Sequence, residues 1–338
     1  MEQHKNIRLG HGSGGKLSHE LIEKLFVRYF DNAILRQQGD SALFNMPYHM
    51  LAFTTDSYVV DPLFFPGGNI GKMAISGTVN DLAVTGALPA YISVAFIIEE
   101  GFPLDQLEEI VSSMTEEAHH AGVLIATGDT KVVNKGKCDK VFINTSGVGM
   151  IKKDFLHIST GKQIKEGDCI IINGYAGDHG IAILGERESL NFSTPVKSDV
   201  ASLNAMISDI TGLYNIHFMR DATRGGVATV LAELAESNGL GIRIDESLVP
   251  VREEVKGICE VFGYDPLYIA NEGKVIIVAP KNQANKIVER LRTHEEGKNS
   301  AIIGSITKDH KGKVVLNTEI GGQRFLDMLS GEQLPRIC

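Results

Sequence analysis

Five aspartates carry the clearest chemical signal in the chain, because each ends an apolar stretch or sits in a glycine turn. They are Asp40 in GDSA, Asp56 in TTDS, Asp81 in VNDLA, Asp129 in TGDTK and Asp221 in RDATRGG. A carboxylate at a strand end can face a shared cleft, and several in one cleft repel unless a cation neutralises them. Hard oxygen ligands with phosphate nearby favour Mg2+. Singly, each aspartate has a plainer reading: Asp40 and Asp129 as turn formers, Asp81 as a hydrogen-bonding group within its helix. As a set they point to a metal–nucleotide site.

Three further features could join that chemistry. The loop HGSGGK (His11, Gly12, Ser13, Gly14, Gly15, Lys16) can offer backbone N–H groups to an anion, with Lys16 adding charge. Its spacing is not that of a Walker A loop, and a turn capped by Ser18 is the alternative. Glu272 in NEGK precedes an apolar run, as a base or as a turn cap, and Lys131 follows Asp129 closely enough to bind phosphate. Cys338 is the last residue of GEQLPRIC, a stretch without periodicity that reads as an exposed tail. The adjacent α-carboxylate raises its thiol pKa. Eight extended residues reach about 26 Å, enough to carry a thioester-like group between two sites. A terminus without a role is the alternative. Cys169 and Cys259 read as small buried hydrophobes.

The elements that must position these groups fall into two series. Helical spacing covers 17–30, 73–84 and 104–121, and strands are predicted at 50–56 (buried), 91–98, 123–130 and 140–151, the last two separated by a hairpin-like NKGK. The pattern restarts after about residue 155. Strands are predicted at 168–174, 241–245 and 274–279, helices at 200–214, 225–238 and 282–293, and a strand pair within 301–316. The mixture without strict βαβ alternation predicts an α/β protein of the α+β type. The predicted units are 1–155, 156–330 and a flexible tail, 331–338.

Composition bounds the function. With 338 residues, about two domains are expected. The net charge of −9 disfavours nucleic acid as a partner. The longest apolar run, YISVAFII, is far short of the ~20 residues that span a bilayer. The N-terminal stretch lacks a signal-peptide apolar core. Four cysteines without CxxC spacing suggest a reducing compartment, so a cytoplasmic protein is expected.

These segments together resemble the HypE family of hydrogenase maturation proteins, within the aminoimidazole-ribonucleotide-synthetase-like superfamily. The resemblance rests on HGSGGK at 11, GDSA at 39, TTDSYVVDPLFFPGGNIGK at 54, GTVNDLAVTGA at 77, GDTKVV at 128, RDATRGG at 220, NEG at 271 and PRIC at 335. Selenophosphate synthetases share the aspartate pattern but keep a cysteine or selenocysteine in the N-terminal glycine loop, where Gly14 and Gly15 stand here. The PRIC tail selects the HypE branch.

The resemblance implies an N-terminal ATP-binding domain that dimerises through a shared β-barrel, and a C-terminal α/β sandwich domain. It implies Mg2+ on Asp40, Asp56, Asp81 and Asp221. ATP would be held by residues 11–16 together with Asp56, Lys72, Asn80 and Asp129. In the implied activity a HypF-type carbamoyltransferase loads a carbamoyl group on Cys338, and ATP-dependent dehydration turns it into a thiocyanate. Glu272 is the expected base and Lys131 an orienting cation. The cyano group would pass to a HypC–HypD complex as an iron ligand of [NiFe] hydrogenase. The competing readings are a synthetase or kinase acting on a free small molecule, and an ATP-gated scaffold.

Overall fold

The computed structural model describes residues 6–12, 20–34, 50–187, 194–329, 334 and 336–338. Two sheets organise it. The N-terminal sheet holds β1 (Leu51–Tyr58), β4 (Leu88–Glu99), β5 (Leu124–Val133) and β6 (Val141–Met150), in the order β1-β6-β4-β5. A short hairpin, β2 (Phe64–Phe65) with β3 (Gly68–Asn69), leads into helix α1 (Ile70–Val84). Helix α2 (Leu104–Ala121) crosses from β4 to β5, which pair in parallel.

Local chemistry explains both helices. In α2, Leu107, Ile110, Val111, Met114, Ala118 and Ala121 are buried at helical spacing, and Gly122 ends the helix with φ 69°. The Asn69 side chain caps α1 by accepting from the Gly71 and Lys72 N–H groups. Small and apolar residues alternate along α1, and it is buried almost all round. It packs on the β1 and β6 faces on one side and on C-terminal elements on the other. A helix so enclosed holds its few polar side chains rigidly.

The C-terminal sheet runs β13-β12-β9-β11-β7-β10-β8. Its strands are β7 (Cys169–Ile172), β8 (Phe218–Asp221), β9 (Gly241–Asp245), β10 (Val275–Ala279), β11 (Ala301–Thr307), β12 (Lys313–Asn317) and β13 (Gln323–Leu326). The runs CIII and VIIVA are buried at every residue, as strands covered on both faces must be. Helices α3 (Asp178–Gly185), α4 (Asn204–Leu213), α5 (Gly226–Asn238), α6 (Glu253–Phe262) and α7 (Lys281–Leu291) complete this half. The fold is therefore of the α+β type. Among the described residues no helix is long and apolar enough to cross a membrane.

Four expectations change. The strand expected to be buried at 50–56 is one-sided, with Leu51 53% and Phe53 70% exposed, because among the described residues no element covers its outer face. Strands β5 and β6 do not form a hairpin, since β4 lies between them. Nor do β11 and β12 pair, since both flank β9. The described C-terminal residues, 334 and 336–338, are docked and do not form an exposed tail. Leu334 and Ile337 are buried, and the segment runs antiparallel to the chain after β1. There the Val59 N–H donates to the Cys338 carbonyl (3.2 Å) and the Asp61 N–H to the Arg336 carbonyl (3.2 Å). Apolar side chains at Leu334 and Ile337 supply the reason, because docking removes them from water.

Candidate active site

Strand alternation turns Thr54, Asp56 and Tyr58 of β1 inward, toward α1. Gly77 and Asp81 lie one turn apart on the facing side of α1. A Cβ at Gly77 would meet the Tyr58 hydroxyl at 2.3 Å, so only glycine permits this approach. Thr54 Oγ1 donates to Asp81 Oδ2 (2.8 Å), and Tyr58 Oη donates to Asp56 Oδ2 (3.1 Å). From the other domain, Asp221 ends β8 opposite Val275 of β10. The following turn, with positive φ at Gly225 and Gly226, starts α5 and turns Thr229 and Glu233 the same way. Asp56, Tyr58, Gly77, Asp81, Asp221, Thr229 and Glu233, with Arg220, Arg224 and Glu272, line a cavity of about 260 Å³ between the two halves.

The Glu272 loop is clamped from below. Asp199 accepts from the Glu272 N–H (3.1 Å), the Gly273 N–H (3.2 Å) and Lys274 Nζ (2.9 Å). Gly273 lies so close that a Cβ there would meet the Asp199 carbonyl at 1.9 Å. From α1, Asn80 Nδ2 donates to the carbonyls of Ala201 (2.9 Å) and Glu272 (3.3 Å), while its Oδ1 accepts from the Leu203 N–H (2.8 Å). Asn80 therefore ties the domains together and fixes the Glu272 backbone, with its amide already engaged.

Electrostatics divides these carboxyls. Burial, then the charge on Asp56, pushes Asp81 up to about 6. Burial, then Asp81, pushes Asp221 up to about 7. Glu272 is raised well above the usual range by burial, then by Asp199 and Asp221. Burial also acts on Asp199, but the Lys274 ammonium and the Glu272 N–H that donates to it hold that carboxyl below its usual value. One charge-compensated carboxylate thus supports a cavity in which Asp81, Asp221 and Glu272 resist ionising. Such a set fits a divalent cation, which would offset the repulsion. Among the described residues no three His, Cys, Asp or Glu side chains form a ready-made metal cluster. A cation here would need phosphate oxygens as well as Asp56, Asp81 and Asp221, the usual habit of Mg2+.

Cys338 lines the same cavity, so the tail of the chain reaches its own domain junction. Besides the bonds to Val59 and Asp61, Arg336 Nε donates to the Val59 carbonyl (3.0 Å) and Arg336 pairs with Asp139. Arg187 donates to the carbonyls of Asp61 and Arg336, each at 3.2 Å.

Asp56, Asp81, Asp221, Glu272 and Cys338 are therefore brought together. Asp129 and Lys131 are not: both are exposed on β5, on the outer face of the sheet. Lys72 stands in the first turn of α1, reaching the Gly67 carbonyl (3.4 Å), away from the cavity wall. His11 is buried in the turn Leu9–Gly12, which packs against β5, and its Nδ1 accepts from the Arg8 N–H (2.9 Å). Ser13, Gly14, Gly15, Lys16 and Asp40 lie outside the described residues. The sequence reading missed Tyr58, Asp199, Arg220, Arg224 and Glu233. The two arginines stood in RDATRGG and could have been weighed as anion ligands. Asp199 carries no local signal, because its partner Lys274 is distant in sequence.

Residues 38–151 match the family described as AIR synthase related protein, N-terminal domain, and residues 165–317 match its C-terminal domain. The carbamoyl dehydratase HypE of Azotobacter vinelandii is 47% identical over 334 residues, 98% of this chain and 97% of that protein. The chain belongs to the HypE family. The carbamoyl dehydratase HypE of Escherichia coli K12 is 46% identical, over 98% of this chain and 99% of its own. A crystal structure of the HypE protein in complex with ATP superposes with a TM-score of 0.93 at 48% identity, covering 98% of this chain and 99% of that one. The HypE chain of a HypE–HypF complex gives 0.79 at 47% identity, covering 91% and 99%. A thiamine-monophosphate kinase complex at 19% identity and TM-score 0.60 shares the fold alone.

Proposed function

We propose that this HypE-family chain is an ATP-dependent carbamoyl dehydratase of [NiFe] hydrogenase maturation, converting a carbamoyl group on Cys338 to a thiocyanate. The observation that carries this is the Cys338 end of the chain in the cavity lined by Asp56, Asp81, Asp221 and Glu272. A passive tail acting beside a free-substrate site, or a scaffold, needs no such placement.

Hydroxide is a poor leaving group from an amide carbon. ATP supplies the phosphoryl group that turns the amide oxygen into a good one, and Mg2+ on Asp56, Asp81 and Asp221 would offset phosphate charge. The chain does the rest. Closure of the tail holds the S-carbamoyl group among these side chains, and Arg220 and Arg224 on the cavity wall offer cationic donors to phosphate oxygens. One N–H proton leaves as the amide oxygen is phosphorylated, and Glu272 accepts the second as the C–O bond breaks and the nitrile forms. Burial holds the Glu272 pKa well above the usual range, so compensating positive charge must ionise it first. Substrate and ATP thus become S-cyanated Cys338, ADP, phosphate and a proton.

Asp129, Lys131, Lys72 and the glycine loop beginning at His11 form the second part of the nucleotide site. The open face of the N-terminal sheet explains how they reach it. Register places Phe53, Val148, Tyr91 and Leu124 in one outward row, and Leu51 beside Met150. A row of Thr55, Ser146, Ser93 and Thr127 follows, with Ser146 Oγ donating to Thr55 Oγ1 (3.0 Å). An apolar patch of this kind seeks a cover. Two such faces closing into a barrel make a homodimer and bring Lys131 of one subunit toward the other. The chain would work in the cytoplasm, receiving its carbamoyl group from a HypF-type partner and passing cyanide to a HypC–HypD complex.

Intact-mass analysis tests the reading. After incubation with the carbamoyltransferase, carbamoyl phosphate and Mg–ATP, the chain should gain one carbamoyl group and then lose one water, both mapped to Cys338. A carbamoyl adduct that never loses water, or an adduct elsewhere, would overturn it.

A further inference from the structure

His179 lies in the first turn of α3, fully buried, where the two domains and the C-terminal segment meet. Its Nε2 is 2.8 Å from the Ile337 carbonyl, and its Nδ1 is 2.8 Å from Ser198 Oγ. A carbonyl can only accept, so Nε2 carries the hydrogen. In the neutral ring Nδ1 is then the acceptor, and the Ser198 hydroxyl donates to it. Ser198 is free to do so, because its Oγ already accepts from the Val200 N–H (3.2 Å).

The ring itself has little freedom. The Ser198 N–H donates to the Pro66 carbonyl (2.7 Å), anchoring the serine to the β2–β3 hairpin of the other domain. The Phe65 ring meets the imidazole edge-on, with centroids 5.5 Å apart. A fixed donor from one side and the Val59 N–H from the other hold the Ile337 peptide carbonyl and the Cys338 carboxylate.

We propose that His179 is a positioning residue for the dehydration step: its Nε2–H holds the Ile337 carbonyl, and so sets where the sulfur, and the carbamoyl group on it, stand in the cavity. The proposal rests on the reading of Cys338 as the carrier. Misplacing reacting atoms by about 1 Å can cost on the order of 100-fold in rate. His179 is therefore expected to act on the chemical step and not on ATP binding.

The test compares two amides of similar polarity. In His179→Gln the side-chain nitrogen reaches the place of Nε2, whereas in His179→Asn it reaches only that of Nδ1. Each full-length variant is carbamoylated by the partner enzyme, purified, and given saturating Mg–ATP in a single turnover. His179→Asn should slow thiocyanate formation on the order of 10- to 100-fold with unchanged ATP affinity. In the same protein uncarbamoylated, alkylation of Cys338 by iodoacetamide, mapped by peptide mass, should accelerate several-fold. His179→Gln should restore both toward wild type. Equal turnover in wild type and His179→Asn overturns the positioning role, as does equal loss in the two variants. Failure of the wild type itself to form thiocyanate strikes the underlying functional reading instead.

Discussion

The junction cavity and the Asp129–Lys131 stretch of β5 share one kind of sequence signal, an aspartate beside a glycine or at a strand end, yet occupy opposite settings. Asp81 and Asp221 are pushed up to about 6 and 7 by burial, then by Asp56 and by Asp81 respectively, and share a wall with Glu272 and Cys338. Asp129 and Lys131 stand exposed on the outer face of an edge strand. The first region is assembled within one chain by the packing of two domains on α1. The second lies on the exposed face of the N-terminal sheet. An aspartate's local sequence therefore reports what it can do, and the fold decides with what company.

The largest effects should come from the cavity. Cys338→Ala should abolish thiocyanate formation while leaving ATP binding intact, read by mass and by equilibrium binding. Glu272→Gln should lower single-turnover dehydration by about 100-fold or more, the usual scale for a lost general base. A fall of only a few-fold would move the base elsewhere.

The β5 region should respond differently. Lys131→Ala should lower turnover by about 10-fold, on the scale of a charge-assisted contact of 1.5–3 kcal/mol. If its lysine serves the neighbouring subunit, mixed dimers of Lys131→Ala with Cys338→Ala, isolated by two tags, should regain activity. Mixed dimers as inactive as their parents would place both regions in one subunit and erase the contrast. Phe53→Asp should shift the chain to monomer in light scattering and cost the same activity as losing Lys131.

The smallest effect is one of stability. Carboxyls whose native pKa is raised from about 4 to about 6 (Asp81) and about 7 (Asp221) hold more protons folded than unfolded. Stability of the metal-free chain should therefore fall as pH rises from about 4 to 7, and Mg–ATP should restore more at pH 8 than at pH 5. Asp221→Asn should raise the metal-free Tm at pH 8, by on the order of 2 °C per kcal/mol relieved, while lowering activity. An unchanged Tm at pH 8 would mean that the cavity imposes no such penalty.

Much of this was legible in the sequence and the rest was not, for identifiable reasons. Asp56 and Asp81 could be read because strand alternation and helical spacing are local properties. The α+β class followed from the order of the elements. Strand order did not, since βαβ crossing by α2 inserts β4 between β5 and β6, a decision made by packing. Asp199 was invisible because Lys274 and the Glu272 loop reach it only in the fold. The docked terminus was invisible too: Leu334 and Ile337 have no periodicity, and their seat is built by residues following β1 and by α3.

The most direct test of the account uses a mixed dimer of Glu272→Gln with Cys338→Ala, carbamoylated by the partner and given Mg–ATP. The structure places Cys338 beside Glu272 of its own chain, so neither subunit holds both groups, and no thiocyanate should form beyond the level of the parents. Thiocyanate on the Glu272→Gln subunit at a rate near half that of wild type would show the tail working in its neighbour's cavity, and would contradict the account.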